Sequence, residues 1–189
     1  MDGTWLDSFI PNPDVRERHA VLVHAPADLV AHVARHFDMS SLPLVRSAFW
    51  LRARLMGSRA RATRQPVDLA GLLRSGWGVL ADEPSRVFAA GAVCRPWQAD
   101  VVFTPIEPAR FASYAEPGLV KIAWTFETEP LEPTLTRLAS ETRVVATDAA
   151  SREKFRHYWR WARFGIVGIR RILLPAIKRA TENRWKAGS

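Results

Sequence analysis

The apolar positions of this chain keep two different periods. Near the C-terminus, Phe155, Trp159, Ala162, Ile166, Ile169, Leu173, Ala176 and Ala180 recur at alternating steps of four and three, the spacing of one helix face. The stripe predicts a long α-helix over about 151–183. Arg156, Arg160, Arg163, Arg170, Arg171 and Lys178 stand opposite it, so one side is packed and the other meets solvent or a partner. Pro175 brings no backbone N–H to the helix, and a kink or break is expected there. The lower rows, Phe155 to Ile166, carry the rings, while Ile169 to Ala180 read as plain packing.

Just upstream the period falls to two. Val120, Ile122, Trp124 and Phe126 alternate with Lys121, Thr125 and Glu127, predicting a strand over 121–129. Leu138, Ser140, Thr142, Val144 and Ala146 alternate with Arg137, Glu141, Arg143 and Val145, predicting a second over 134–147. The intervening PLEP is a hairpin-length break, so the two should pair antiparallel, one face apolar or lightly polar and the other charged. Shorter apolar runs predict strands over 77–84 and 86–97, edge pairing over Val101–Thr104 and a helical turn at Phe111–Tyr114.

Toward the N-terminus, RERHAVLVH predicts a first strand over 16–24. Asp28 then caps a helix over 27–37 with Leu29, Val30, Val33 and Phe37 inward. A second helix, about 41–56, carries Leu42, Val45, Phe49, Leu51 or Arg52 and Leu55, and Gly57 ends it. A connector over 58–76 opens Arg-rich and holds one small helix around Leu69, Leu72 and Leu73. Residues 1–15 read as an N-terminal arm, broken by Pro11 and Pro13, 16–183 as a single domain and 184–189 as a tail. The fold class is α+β: a strand, two short helices, a run of antiparallel strands and one long helix. A curved antiparallel sheet wrapped around that helix satisfies the order, with the space between filled by rings or left as a cavity.

Composition adjusts this picture in three ways. Eight Trp and nine Phe in 189 residues supply large apolar area, for a core or for a cavity wall. Cys94 is the lone cysteine, which excludes an internal disulfide and fits a reducing compartment. The net charge of +8 is concentrated. Eleven Lys or Arg face two Glu between Arg152 and Lys186, and six Arg face no acid between Arg46 and Arg64. That admits an anionic membrane as partner, with nucleic acid less favoured because Arg-rich solvated helix faces already account for the charge. The N-terminus lacks a signal-peptide pattern, and FGIVGIRRILLPAI is interrupted by charge before it reaches spanning length, so a soluble, cytoplasmic protein is expected.

In VLVHAPADLVAHVARHF and in TRLASETRVVATDAASREKFRHYWRWARFGIVGIRRILLPAIKRA, with WGVLADEPSRVFAAGAV and EPGLVKIAWTFETEPL as strands between, the chain resembles the START-like, or SRPBCC, superfamily. This is the helix-grip group that includes polyketide cyclases and lipid-transfer proteins, and the likeness extends over about 16–183. It implies a cavity between sheet and C-terminal helix that holds a small hydrophobic or amphipathic molecule. It does not by itself imply catalysis.

The candidate chemistry is sparse. His19, His24, His32, His36 and His157 lack a metal-site spacing, and HVARH has no acid in second position, so no metal is expected. Nucleotide-binding and hydrolase signatures are absent, and no cofactor is implied. Cys94 reads as a small buried residue. Trp77, Trp97, Tyr114, Trp124, Phe126, Thr142, His157, Tyr158 and Trp161 fall on or near the faces that would meet inside a helix grip, as an aromatic cage with a few hydroxyls and an imidazole. His157 is the candidate general acid or base, since imidazoles as a class titrate near neutral pH. Glu141 is the second candidate, although with Arg143 it reads first as an ion pair on the charged side of its strand. Three functions stay open: a carrier or sensor of a hydrophobic ligand, an enzyme of the cyclase or dehydratase kind, and a basic module for an anionic membrane or nucleic acid. The oligomeric state is not legible.

Overall fold

A computed structural model describes residues 4–57 and 68–188, apart from the side chains of Phe49, Ile166 and Arg170. The Arg-rich opening of the connector, 58–67, lies outside the described residues, as do those three side chains. In chain order β1 (Val15–Val23) leads into α1 (Ala27–His36) and α2 (Pro43–Met56). Next come α3 (Leu69–Arg74), β2 (Gly78–Glu83), β3 (Val87–Cys94) and the single turn α4 (Pro108–Phe111). The chain closes with β4 (Val120–Glu132), β5 (Leu135–Ala146) and α5 (Ala149–Gly188). The strands form one antiparallel sheet in the order β1-β5-β4-β3-β2, so the last four run as a meander and β1 returns to pair with β5.

The β4–β5 hairpin is longer than expected. PLEP is not a break, because Pro130 pairs with Thr136 and Glu132 with Leu135. β3 stops pairing at Glu127, so the tip of β4 is an edge, and a proline that donates no hydrogen bond is tolerated there. The edge pairing expected at 101–104 reduces to a bridge between Val93 and Thr104. Gly57 ends α2 in the left-handed conformation (φ 67°), as its position implied. The cap of α1 is Pro26, with Asp28 one step inside the first turn.

α5 departs most from its pattern. Asp148 caps it, accepting from Ser151 N–H (2.8 Å), Ser151 O–H (2.7 Å) and, across from the start of β4, Gly118 N–H (2.5 Å). The helix then runs unbroken through Pro175 to Gly188, past the expected end near residue 183. Leu174 and Ile177 flank the proline and are fully buried, contributing roughly 1.5–3 kcal/mol each. Together they offset a proline penalty of about 3 kcal/mol. The buried line also shifts, from Phe155, Tyr158 and Ala162 to Leu174, Ile177 and Thr181, leaving Ala176 and Ala180 half-buried. A stripe of period 3.5 walks around a helix of 3.6 residues per turn by ~20° per heptad, so its last members have rotated off the inward face.

The sheet has two buried faces. On the outer one the expected N-terminal arm is part of the core: a 3₁₀ turn, Trp5–Ser8, brings Leu6 down with Ile10 onto Leu80, Ala89, Phe111 and Ala123. Gly91 permits this, since a Cβ there would sit 2.8 Å from the Phe111 ring. On the inner face, one cluster joins Val23, Val30 and Leu138 to Leu174 and Ile177. Another joins Cys94, Val120 and Val144 to Phe155, Tyr158 and Ala162. Between the two, sheet and helix do not meet.

Candidate functional site

That gap is a cavity of about 790 Å³. Strand alternation builds its floor: Ile122, Trp124 and Phe126 from β4, Ser140, Thr142 and Val144 from β5, His19 from β1 and Cys94 from β3. The register sets these in rows, with Trp124 opposite Thr142 and His19 opposite Ser140. α5 forms the roof through Phe155, Tyr158, Trp159, Ala162, Ile169 and Leu173. The upper rows of that helix are therefore cavity wall as well as packing.

α2 covers the open side. Ala48, Leu51, Arg52 and Leu55 line the cavity, and Val45 is its one buried residue among those described. The helix meets α5 at Gly165, where an added Cβ would lie 3.9 Å from the Ala48 Cβ. Arg52 fastens it to the far rim by donating to the carbonyls of Pro96 (3.2 Å), Gln98 (3.0 Å) and Ala99 (3.4 Å).

Rings organise the floor around Trp124, which meets Phe126 edge-on at 5.3 Å, Phe88 at 5.8 Å and Trp77 at 6.3 Å. Trp77 in turn stacks on Phe103 at 5.0 Å. In the roof, Tyr158 meets Trp161 at 5.2 Å and Phe155 at 6.4 Å. Such pairs hold their own geometry and do not collapse into the space beside them. Burial pushes the Cys94 thiol up to about 12, against the opposing pull of Arg52, so it is not a nucleophile at neutral pH.

Of the residues singled out in the sequence, Trp77, Trp124, Phe126, Thr142, Tyr158 and Trp161 line this cavity. Four others do not. Trp97 packs beside the cluster of Phe155 and Tyr158 and, with His157, Tyr158 and Trp161, lines a separate, more open pocket of about 590 Å³. Tyr114 lies on the loop after α4, its hydroxyl donating to Glu116 at 2.8 Å. His157 is exposed on the outer side of α5, its Nδ1 3.0 Å from the Glu153 carbonyl. Glu141 is on the opposite face of the sheet, because its neighbours Ser140 and Thr142 take the inward positions.

His19, Cys94, Phe103 and the inner face of α2 also line the cavity, a role the sequence had not suggested for them. His19 was detectable, since it is in phase with Val21 and Val23 in a strand whose alternation is plain. The role of α2 was not, because a half-covered helix and a packed one carry the same stripe.

No family model and no curated protein matches the chain. Among solved structures it is similar to the Zhui aromatase/cyclase from Streptomyces sp. R1128, at 15% identity over 93% of this chain and 98% of that one, with a TM-score of 0.34. It is also similar to a conserved protein from Geobacillus kaustophilus, at 11% identity over 88% and 97% with a TM-score of 0.36. A protein from Deinococcus radiodurans shows 17% identity over 80% and 99% with a TM-score of 0.34. At these values function has to be read from the residues themselves. The architecture, a five-stranded antiparallel sheet closed by a long C-terminal helix, is the helix-grip fold implied by the resemblance to the START-like superfamily.

Proposed function

We propose that this protein binds a small hydrophobic or amphipathic molecule between its sheet and α5, as a carrier or sensor. One observation carries the reading: the cavity of about 790 Å³ is walled mainly by rings and aliphatic side chains and is not filled by them. Leu51 and Leu55 line it and yet are 50% and 66% exposed. Protein interiors are otherwise packed to crystal-like density, and a void of this size falls in the range of small-molecule sites. A cyclase or dehydratase activity draws no support from its two proton-transfer candidates, Glu141 on the outer face and His157 on the outer side of α5.

Native mass spectrometry of the protein as purified, together with the fluorescence of added 1-anilinonaphthalene-8-sulfonate, tests the reading. Leu51→Glu sets a charge on the apolar wall without touching the core, and a loss of at least about tenfold in dye affinity is expected. Absence of dye binding in the wild type sinks the proposal.

A second reading concerns the rim, as a contact for an anionic bilayer. Trp50 and Phe164 are 65% and 71% exposed, on α2 and α5, the two helices that wall the cavity. Exposed Arg54, Arg160 and Arg163 share those helices, and Arg163 stands 4.9 Å over the Phe164 ring. Rings that enter the headgroup region beside cations that attract it form a recurrent interfacial pattern. Co-sedimentation with phosphatidylglycerol vesicles should be lost in Trp50→Ser with Phe164→Ser and weakened by salt, and no binding at low salt removes the reading.

A further inference from the structure

α1 turns Val30, Val33 and Ala34 onto the core, and Ala34 also lines the cavity. Its outer face is exposed and carries His32 and His36, one helical turn apart. Their rings lie close, with centroids 4.4 Å apart and planes tilted by 32°. The Nδ1 atom of His36 is 2.8 Å from the His32 carbonyl. A carbonyl only accepts, so Nδ1 carries the proton and the neutral ring keeps its lone pair on Nε2. A backbone carbonyl that fixes the tautomer in this way is the usual support of a metal-ligating imidazole. Among the described residues no hydrogen bond engages the His32 ring, so it offers either nitrogen.

The ring spacing also selects among ions. With metal–nitrogen bonds of about 2.0–2.1 Å, two imidazoles at a right angle place their centroids roughly 4.5 Å apart, and at the tetrahedral angle roughly 5 Å. The observed 4.4 Å fits the right angle, which belongs to tetragonal or octahedral ions such as Cu2+ and Ni2+ and not to tetrahedral zinc. Arg35, between the two histidines in sequence, is paired with Asp82 at 2.6 Å, which offsets its charge.

We propose that His32 and His36 form a surface metal site, binding one divalent transition ion of the Ni2+ or Cu2+ kind through one nitrogen from each ring. No third His, Cys, Asp or Glu joins them among the described residues, so water completes the shell. HVARH lacks the acid that a catalytic zinc helix carries, but a binding pair needs none. Only the folded helix holds the two rings one turn apart, so the bound ion stabilises α1 and, through it, one wall of the cavity. The site does not depend on what the cavity binds.

The test titrates the untagged protein with NiCl2 by calorimetry. His32→Gln and His36→Gln should each weaken binding at least about tenfold, because the second bond of a chelate forms at high effective concentration. His24→Gln and His157→Gln should change it by less than about twofold. Substoichiometric Cu2+ should broaden the imidazole NMR resonances of His32 and His36 in wild type before those of the other histidines, a readout that needs no variant. With Ni2+ a hundredfold above its dissociation constant, the wild-type folding equilibrium in urea should rise about a hundredfold, and that of His36→Gln by about tenfold or less. Affinity that either His32→Gln or His36→Gln leaves unchanged, broadening that begins at another histidine, or a urea midpoint indifferent to Ni2+ overturns the site.

Discussion

Arg143 donates through Nε to Glu141 Oε1 at 2.7 Å, two residues away on β5, with both side chains sealed from solvent on the face of the sheet that turns away from the cavity. The pair is the centre of a larger network. Arg16 and Arg18 reach the same carboxylate at 2.9 and 2.7 Å, while Arg143 also bonds the Ile10 carbonyl, the Thr4 hydroxyl and Asp7 Oδ1, each at 2.7 Å. Charged residues on an outer strand face would ordinarily be solvated, and here the N-terminal segment has closed over them.

Breaking the pair should be severe. Glu141→Ala leaves the buried Arg143 guanidinium with only the exposed Asp7 as a carboxylate partner, and a loss of about 3–5 kcal/mol in urea unfolding is expected. Glu141→Met combined with Arg143→Leu removes both charges at once and should lie much closer to wild type, since two charges desolvated together gain little over apolar replacements. Dye binding by the folded double variant should be unchanged, because the cavity is on the other face. A single variant as stable as wild type would contradict the network described here.

Acid should unfold the protein from these same groups. Burial works against the charge on Glu141, but hydrogen bonds from Arg143 and Arg18 outweigh it and hold the carboxyl below its ordinary range. The Thr4 N–H and then Arg143 do the same for Asp7. The N–H of Gly118, followed by the hydroxyl and N–H of Ser151, holds Asp148 far below. Each carboxyl binds its proton less readily folded than unfolded, so the unfolded state takes up protons first as pH falls. The stability they contribute is complete above about pH 5 and is lost progressively below about pH 4, toward the depressed folded values. Urea midpoints measured at pH 7, 4 and 3 should fall in that order, and Asp148→Asn, which can still cap α5, should flatten the decline. A profile level from pH 7 to pH 3 would remove the explanation.

Why the fold was legible and half of the site was not follows from what periodicity encodes. A period of two fixes which residues share a face, so Trp124, Phe126 and Thr142 could be placed together before any coordinates. It does not say whether the opposite face is wet, and the burial of Glu141 and Arg143 depended on Leu6 and Ile10, whose proline-broken segment carries no repeat. Loop residues such as Tyr114 obey no period, and on α5 the outer rows hold His157 as naturally as the inner rows hold Phe155. Whether rings fill the expected cavity or leave it empty stayed open for a related reason: Leu51 and Leu55 are spaced as packed residues are, and only their exposure on the wall shows that they are not packed over.

Arg52 should govern how fast a ligand leaves. Its three carbonyl contacts tie α2 to the 96–99 rim, and α2 has little buried surface of its own to hold it there. Hydrogen bonds to a charged group are worth about 1.5–3 kcal/mol, so Arg52→Met, which keeps the aliphatic stem, should raise the dissociation rate of a bound dye about tenfold or more. Global stability should change little, because the core clusters do not include this residue. Stopped-flow dilution of the dye complex reads the rate directly, and a rate equal to wild type would show that the cover is held by something else.

Cys94 offers a chemical readout of the same enclosure. It lines the cavity, yet burial pushes its thiol up to about 12 despite the nearby Arg52. Against an ordinary value of 9.0, the thiolate fraction at neutral pH is lower by roughly a thousandfold, and access is restricted as well. Ellman's reagent should therefore label the native protein very slowly at pH 7 and the urea-unfolded chain at the rate of a simple thiol. Two variants separate the causes. Arg52→Met, by loosening α2, should speed native labelling through access, whereas Glu141→Ala, measured under conditions where it is folded, should speed it only through the unfolded population and in proportion to lost stability. Filling the cavity with 1-anilinonaphthalene-8-sulfonate should slow labelling further in wild type. If the native protein reacts as fast as the unfolded chain and the dye gives no protection, Cys94 does not face an enclosed space and the inner wall of β3 has been assigned wrongly.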